Sequence, residues 1–478
     1  MTAPSSEILH ADICVIGGGS GGLSVAAGAA QMGARVVLIE KHKMGGDCLN
    51  YGCVPSKALI AAAHAAQAVR TSGRFGVNGH EPAIDHLKVR AHVEGVIAGI
   101  APHDSPERFR GLGVTVIEAA ARFLDAKTVE AGGQRITARR FVIATGSAPA
   151  VPPIPGLAET PFFTNETLFD NGEKIDHLVV IGGGPIGLEM AQAHRRLGSA
   201  VTVLDAARVL VRDDQEAAAI VRDRLVAEGV DIREYVKIER IDRAGNGVAV
   251  TILEDGETRT VEGSHLLVAT GRRANVAGLG LEEAGIAYTP RGIQVDARLR
   301  TTNTRVFAIG DVAGGAQFTH VAGHHASVVV KQALFHLPAK AEQDAIPWVT
   351  YADPELAHVG LTAEEAQKRG VPHTVSRFAF ADNDRARAEL ETEGFAKIVV
   401  GKGGRVLGAT IVGARAGELI LPWVLAVSQK MKIAAVASAI APYPTLSEIS
   451  KRAAGAHFTP SLFSERTRKV VRFLQRWT

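Results

Sequence analysis

At 478 residues the chain is long enough for about three domains, each with its own core. Its 46% apolar and 22% charged residues describe an ordinary globular protein, and a net charge of +3 speaks against the concentrated basic face that nucleic-acid binding needs. Three cysteines are too few for a secreted disulfide scaffold. Met1–Asp12 has no basic stretch leading into an apolar run, and the best apolar candidate, Leu419–Ile440, is broken by Lys430 and Lys432, so a cytoplasmic protein is expected.

Residues 11–40 read as strand, glycine turn, helix, strand. Ile13-Cys14-Val15-Ile16 suits a parallel strand buried on both faces, with Cys14 a packing residue. Gly17, Gly19 and Gly22 follow at G-x-G-x-x-G spacing, then an alanine-rich helix, then Arg35–Glu40. The glycines permit a tight turn and a close backbone approach to a pyrophosphate at the helix N-terminus. Glu40 is placed to accept ribose hydroxyls.

Next comes Gly45-Gly46-Asp47-Cys48-Leu49-Asn50-Tyr51-Gly52-Cys53-Val54-Pro55-Ser56-Lys57, with two of the three cysteines. A close pair points to metal or redox chemistry. Zinc wants four ligands, and no second Cys or His cluster supplies them. That leaves a disulfide that opens and closes, with two inert thiols as the alternative. Ala58–Val69 reads as helix and Gly113–Arg140 as antiparallel strands turning at Asp125-Ala126 and Gly132-Gly133. Phe141–Gly146, with Thr145 and Gly146 in its turn, reads as a buried strand of its own, and Pro149, Pro152, Pro153 and Pro155 as a stiff linker.

The first unit then recurs: Val179-Val180-Ile181 leads to Gly182, Gly184 and Gly187, a helix, and Val201–Asp205, while Leu266–Gly271 echoes the strand ending at Gly146. Two dinucleotide sites in one chain suggest a held cofactor reduced by an exchangeable one. Asp205 accepts ribose hydroxyls and repels a 2′-phosphate, which favours NADH; Arg208 keeps NADPH as the alternative. Val306–Asp311 is another strand-to-turn edge, its Asp311 placed for a flavin ribityl hydroxyl or else a helix cap. His324 and His325, adjacent on the next helix, face different ways, which argues against a metal site. From about Ile346 a final domain follows, with strands Glu393–Val400 and Val406–Val412 and helices near Glu418–Lys430. The tail, Leu462–Trp477, forms a basic amphipathic helix that can lie on a membrane surface, although such helices more often pack on their own domain.

Over nearly its whole length the chain resembles the FAD-dependent pyridine nucleotide–disulfide oxidoreductases, the group of dihydrolipoamide dehydrogenase, glutathione reductase and mercuric reductase. Cys48–Lys57 is similar to that family's redox-active disulfide, the two fingerprints to its FAD and NAD(P)H sites, and Asp353–Thr362 to the opening of its dimerisation domain. The resemblance implies an α/β fold: two Rossmann-like dinucleotide-binding domains, for FAD and NAD, plus a C-terminal α+β dimerisation domain. Its bounds are 1–153 and 276–345 for the two parts of the FAD domain, 154–275 for NAD(P)H and 346–478 for dimerisation. It implies a homodimer. FAD contacts are implied for Gly17, Gly19, Gly22, Glu40, Lys41, Gly46, Asp47, Lys57, Thr145, Gly146, Gly310 and Asp311, and NADH contacts for Gly182, Gly184, Gly187, Asp205 and Gly271, with no metal site.

By the same resemblance Cys53 is the thiol nearest the flavin, Cys48 the interchange thiol, and Lys57 the partner of Glu189. Electrons are expected to pass from NADH through FAD to the pair and on to a small-molecule disulfide or a thiol-bound metal ion. Two departures bear on the acceptor. Tyr443 and Glu448 stand where relatives carry an acid–base histidine and its glutamate, and a phenol titrating near ~10 is rarely ionised at neutral pH. Mercuric reductases also carry a C-terminal cysteine pair, and no cysteine follows Cys53 here. The alternative is a reductase of quinones or dyes acting from the flavin directly.

Overall fold

The computed structural model describes residues 8–477. The first seven residues, part of the stretch expected to hold no leader, lie outside the described residues, as does Thr478. The chain divides into two compact units. One comprises the chain up to Gly182 with Arg196–Ala200 and Ile238–Glu342; the other comprises Gly183–Arg195, Val201–Lys237 and Gln343 onward.

The first unit is built on a sheet of β1 (Leu9–Ile16), β2 (Val36–Glu40), β3 (Thr115–Glu118), β4 (Ala121–Asp125), β5 (Thr128–Ala131) and β6 (Gln134–Ile143), in the order β3-β2-β1-β6-β5-β4. Val306–Ala308 pairs with β6 as a further strand. Residues 13–16 of β1 are at most 3% exposed. Ile13 and Val15 pack on one face with Leu23 and Phe307, and Cys14 and Ile16 on the other with Phe123 and Phe141. This is the period-2 alternation of a strand with cores on both sides, which is why β1 reads as an unbroken apolar run.

Two expectations need correction. Gly113–Arg140 is not purely antiparallel: β3 pairs in parallel with β2, and only β4, β5 and β6 form the antiparallel meander. Phe141–Ile143 is no separate strand either. It is the end of the ten-residue β6, whose first half pairs antiparallel with β5 while residues 136–143 run parallel to β1. Alternation before Arg140 and a continuous apolar run after it record one strand passing from a half-covered to a fully covered part of the sheet. Helix α1 (Ser20–Gln31) follows β1, then α2 (Gly46–Asn50) and α3 (Cys53–Thr71) follow β2.

In the second unit, Ala200–Leu204 pairs in parallel with Val230–Arg233. Five antiparallel strands, in the order Pro347–Thr350, Glu355–Gly360, Val406–Gly413, Phe395–Gly401, His373–Ala379, share a core with the helices Leu421–Ser428 and Glu448–Ala456. Trp423 is wholly buried in that core and donates its indole N–H to Ser450 Oγ at 3.0 Å, satisfying the one polar atom its burial removes from water. The closing helix, Glu465–Leu474, buries none of its residues, and Leu462, Phe463, Phe473 and Trp477 are all more than half exposed. Among the described residues no helix is long and apolar enough to cross a membrane.

Candidate active site

The two glycine loops have the same geometry. Gly17 has φ +111° and Gly182 has φ +109°. A Cβ on Gly17 would lie 2.3 Å from Ala144 O, and one on Gly182 would lie 2.5 Å from Ala269 O, so neither position accepts a side chain. Gly18 N–H donates to Glu40 Oε2 at 2.6 Å and His42 N–H to Oε1 at 2.7 Å. In the second copy Gly183 N–H donates to Asp205 Oδ2 at 2.6 Å and Ala207 N–H to Oδ1 at 2.8 Å. Each carboxylate oxygen keeps a lone pair for a ribose hydroxyl. Helix α1 starts behind Gly19 with no side-chain cap and no acid in its first turn, leaving its amide N–H groups for an anion. The second helix, Pro185–Arg196, also has no acid in its first turn, and Gly187 on it is buried.

The cysteine stretch is fastened to the first loop. Gly45 N–H donates to Gly18 O at 2.9 Å, and a Cβ on Gly46 would come within 2.7 Å of Gly19 Cα. Cys48 lies in α2, and Cys53 opens the 19-residue α3 with no side-chain cap, where the helix end favours negative charge. Both are thiols. Cys53 is held well below the ordinary thiol range, at about 6. The largest cause is the hydrogen bond donated by Cys48; Thr319, whose Oγ1 is 3.4 Å from Cys53 Sγ, and the Lys57 charge add to it, against burial and the Asp47 charge. Cys48 is pushed up, first because its proton is shared with Cys53 and then by burial. Cys14, fully buried in β1, is pushed up to about 12 by burial alone.

Around this pair stand residues that the sequence reading passed over. Arg272 donates through Nε to Ser147 Oγ at 2.7 Å, pairs with Asp47 at 3.1 Å and lies 3.7 Å from Asp311. Ser147 in turn donates to Asp311 Oδ2 at 2.5 Å, while burial raises the Asp311 carboxyl. Thr145 Oγ1 donates to Asn275 O at 2.8 Å, and Asn275 returns a bond to Thr145 O. Gly146, Gly271 and Gly310 all have positive φ. The Gly310 N–H donates to Nδ1 of His325 at 3.2 Å, and burial lowers His325 to about 4, keeping that nitrogen an acceptor. The Thr-Gly-Arg triplet at 270–272 was the available signal for Arg272; nothing local marks His325 or Thr319. Lys41 is exposed beside Glu40.

In the second unit, buried Glu189 accepts the Tyr351 N–H at 2.9 Å. Arg208 donates to Tyr235 Oη at 2.5 Å. Tyr443, 68% exposed, donates its hydroxyl to Asp384 Oδ2 at 3.1 Å, which raises the phenol further, and Glu448 opens the helix just beyond it.

The chain compares as follows with known proteins. Residues 11–326 match the family model described as pyridine nucleotide-disulphide oxidoreductase, and residues 346–454 match that family's dimerisation domain. The chain is 36% identical to the dihydrolipoyl dehydrogenase of Geobacillus stearothermophilus over 458 residues, covering 93% of this chain and 96% of that one. It is 33% identical to the mercuric reductase of Streptomyces lividans, with 93% and 95% covered. Among solved structures, the HOCl-induced flavoprotein disulfide reductase RclA from Escherichia coli superposes with a TM-score of 0.82 at 30% identity, covering 92% of this chain and 98% of that one.

Proposed function

The chain belongs to the pyridine nucleotide-disulphide oxidoreductases, enzymes that bind FAD and use NAD(P)H, and on that premise we propose that it reduces a small disulfide or a thiol-bound metal ion through Cys48 and Cys53 at the expense of NADH. The observation that carries this reading is the Cys53 thiolate, stabilised by Cys48 at the start of α3 and tied by Gly45 to the first glycine loop.

The residues fit FAD. Gly17 and Gly22 leave no room for side chains, the α1 N-terminus is uncapped, and Glu40 keeps lone pairs for a ribose. With Gly19, Lys41, Gly46, Asp47, Lys57, Thr145, Gly146, Gly310 and Asp311 these residues would hold it; His325 and Arg272 position Gly310 and Asp311. Bound FAD supplies the two-electron link between the nicotinamide and the cysteine pair. Gly182, Gly184, Gly187, Asp205 and Gly271 would hold NADH, and Arg208, engaged by Tyr235, supports NADH over NADPH. We assign 1–153 and 276–345 to the FAD domain and 154–275 to the NADH domain, a division supported by the pairing of Val306–Ala308 with β6. The dimerisation-domain match supports a homodimer.

In the exchange half-reaction Cys48 attacks one sulfur of the acceptor disulfide, releasing the first thiol and forming a mixed disulfide. The Cys53 thiolate then attacks Cys48 Sγ, releasing the second thiol and closing Cys48–Cys53. Lys57 favours the Cys53 thiolate through its charge. We assign Tyr443 the donor's part toward the departing thiolate, because Asp384 holds its proton on. It is a poor acceptor of the Cys48 proton, so dihydrolipoamide exchange is expected to be slow. By resemblance Glu189 pairs Lys57 and Glu448 supports Tyr443.

The test is Cys48→Ser under anaerobic NADH turnover. Loss of disulfide reduction supports the exchange reading; retention of most of the rate with a quinone or dye as the only usable acceptor transfers the function to the flavin itself. The tail carries a separate proposal of contact with anionic lipid, supported by its exposed apolar residues beside Arg466, Arg468, Lys469, Arg472 and Arg476. Co-sedimentation with anionic vesicles, lost on truncation after Pro460, is the outcome it requires.

A further inference from the structure

A second site lies in the first unit, away from the cysteines. Arg140 on β6, Arg298, Arg300, Gln332, His336 and Leu337 are among the residues lining a half-open cavity of about 270 Å³. Val306–Ala308 enters the sheet beside Phe141, next to Arg140, and leaves it at Ile143, after which the chain reaches Gly310 and Asp311. The cavity is therefore at the start of that strand and the proposed flavin contacts at its end.

Two independent features call for a ligand. The first is uncompensated charge. Among the described residues no carboxylate lies within ion-pair distance of the Arg140, Arg298 or Arg300 guanidinium, and the one side-chain hydrogen bond of Arg140 goes to Arg139 O at 3.3 Å. Asp296, the acid nearest in sequence, spends Oδ1 on the backbone N–H groups of Arg298 and Arg300, at 2.8 and 2.9 Å. Burial, then the charges of Arg300 and Arg305, lower the Arg140 guanidinium. Like charges gathered in a partly desolvated cleft are unfavourable unless an anion joins them. The second feature is Gln332, only 5% exposed. Its Nε2 donates to Arg298 O at 2.8 Å and to Val328 O at 3.4 Å, two groups that can only accept, so the amide cannot be turned round. Its Oε1 has no partner. A buried acceptor left unmade costs roughly 1–3 kcal/mol.

We propose that this cavity binds a small phosphorylated, hydroxyl-bearing compound, with the phosphate held by Arg140, Arg298 and Arg300 and a hydroxyl donating to Gln332 Oε1. Guanidinium forks match phosphate oxygens in pairs, which suits arginine rather than lysine here. The volume sits just below the roughly 300–1,000 Å³ of ordinary ligand pockets, so the size is that of a sugar phosphate rather than a dinucleotide. The site does not depend on the redox reading above.

The experiment is calorimetric titration of the flavin-loaded protein, in low-salt buffer free of phosphate, with ribose 5-phosphate and with inorganic phosphate as probes. Ribose 5-phosphate should bind about tenfold or more tightly than phosphate, because only it supplies the hydroxyl. The double variant Arg140→Gln/Arg298→Gln should weaken both probes at least about tenfold. Gln332→Met should erase the preference between them, and NADH oxidation should stay unchanged in the arginine variant. Absence of binding to the wild type overturns the proposal. So do equal affinities for the two probes, or binding that survives the arginine double variant, which would place the phosphate in a dinucleotide site instead.

Discussion

Removing the Cys48 S–H tests the origin of the Cys53 thiolate, since that hydrogen bond is the largest of the effects holding Cys53 at about 6. In Cys48→Ala the donor is gone while Thr319 and Lys57 remain, so the midpoint should rise by at least about one pH unit toward the unperturbed ~8.5 without reaching it. In Cys48→Ser a hydroxyl can replace the donor and much of the shift should survive. Rates alone would mislead. Were the pKa to rise by ~3 units, to about 9, the thiolate fraction at pH 7 would fall ~90-fold, but a more basic thiolate is intrinsically ~20-fold more nucleophilic, so the net loss is only ~4-fold. At pH 5.5 the fraction falls ~760-fold and the net loss is ~40-fold. The assay is therefore the full pH profile of iodoacetamide alkylation in the two variants. Both leave Cys53 as the only reactive thiol, because Cys14 is fully buried and pushed up to about 12. A Cys48→Ala midpoint still near 6 would refute the assignment of the shift to Cys48 and leave the helix end and Lys57 to explain it.

Gly182→Ala puts a methyl 2.5 Å from Ala269 O, and should abolish NADH binding while leaving bound flavin intact; Gly17→Ala, 2.3 Å from Ala144 O, should instead cost the flavin, read from the visible spectrum of the purified variants. Burial raises Asp213 to about 6 although it accepts the Trp348 indole N–H at 2.7 Å. The folded protein thus binds more protons than the unfolded one between the model value of 3.8 and about 6, and stability falls as pH rises through that window. Asp213→Asn keeps the acceptor without the charge and should be more stable by roughly 2 kcal/mol at pH 7.5, converging on wild type by about pH 4; urea melts showing no gain at pH 7.5 would contradict this. Tyr443→His supplies a base that the phenol cannot, and NADH-driven lipoamide reduction should rise about tenfold or more, a result that an unchanged rate would rule out.

The sequence alone determined what depends on local chemistry. Gly17 and Gly182 were legible because their backbones turn at positive φ against a carbonyl, a demand only glycine meets. β1 was legible because a strand covered on both faces has no polar positions. Cys48 and Cys53 stood out because their spacing and neighbours belong to one segment. Tertiary structure decided whatever depends on residues distant in the chain. The continuity of β6 was hidden because its two halves answer to different neighbours. Arg272, Ser147, Thr319 and His325 carry no local mark. They matter because pairing of the strand at 306–308 with β6, and the packing of the helix behind it, set them around Asp47, Asp311, Cys53 and Gly310. The low pKa of Cys53 is of the same kind. A thiol becomes an acid when a donor, a hydroxyl and a helix end converge on one sulfur, and the path of the folded backbone fixes that convergence.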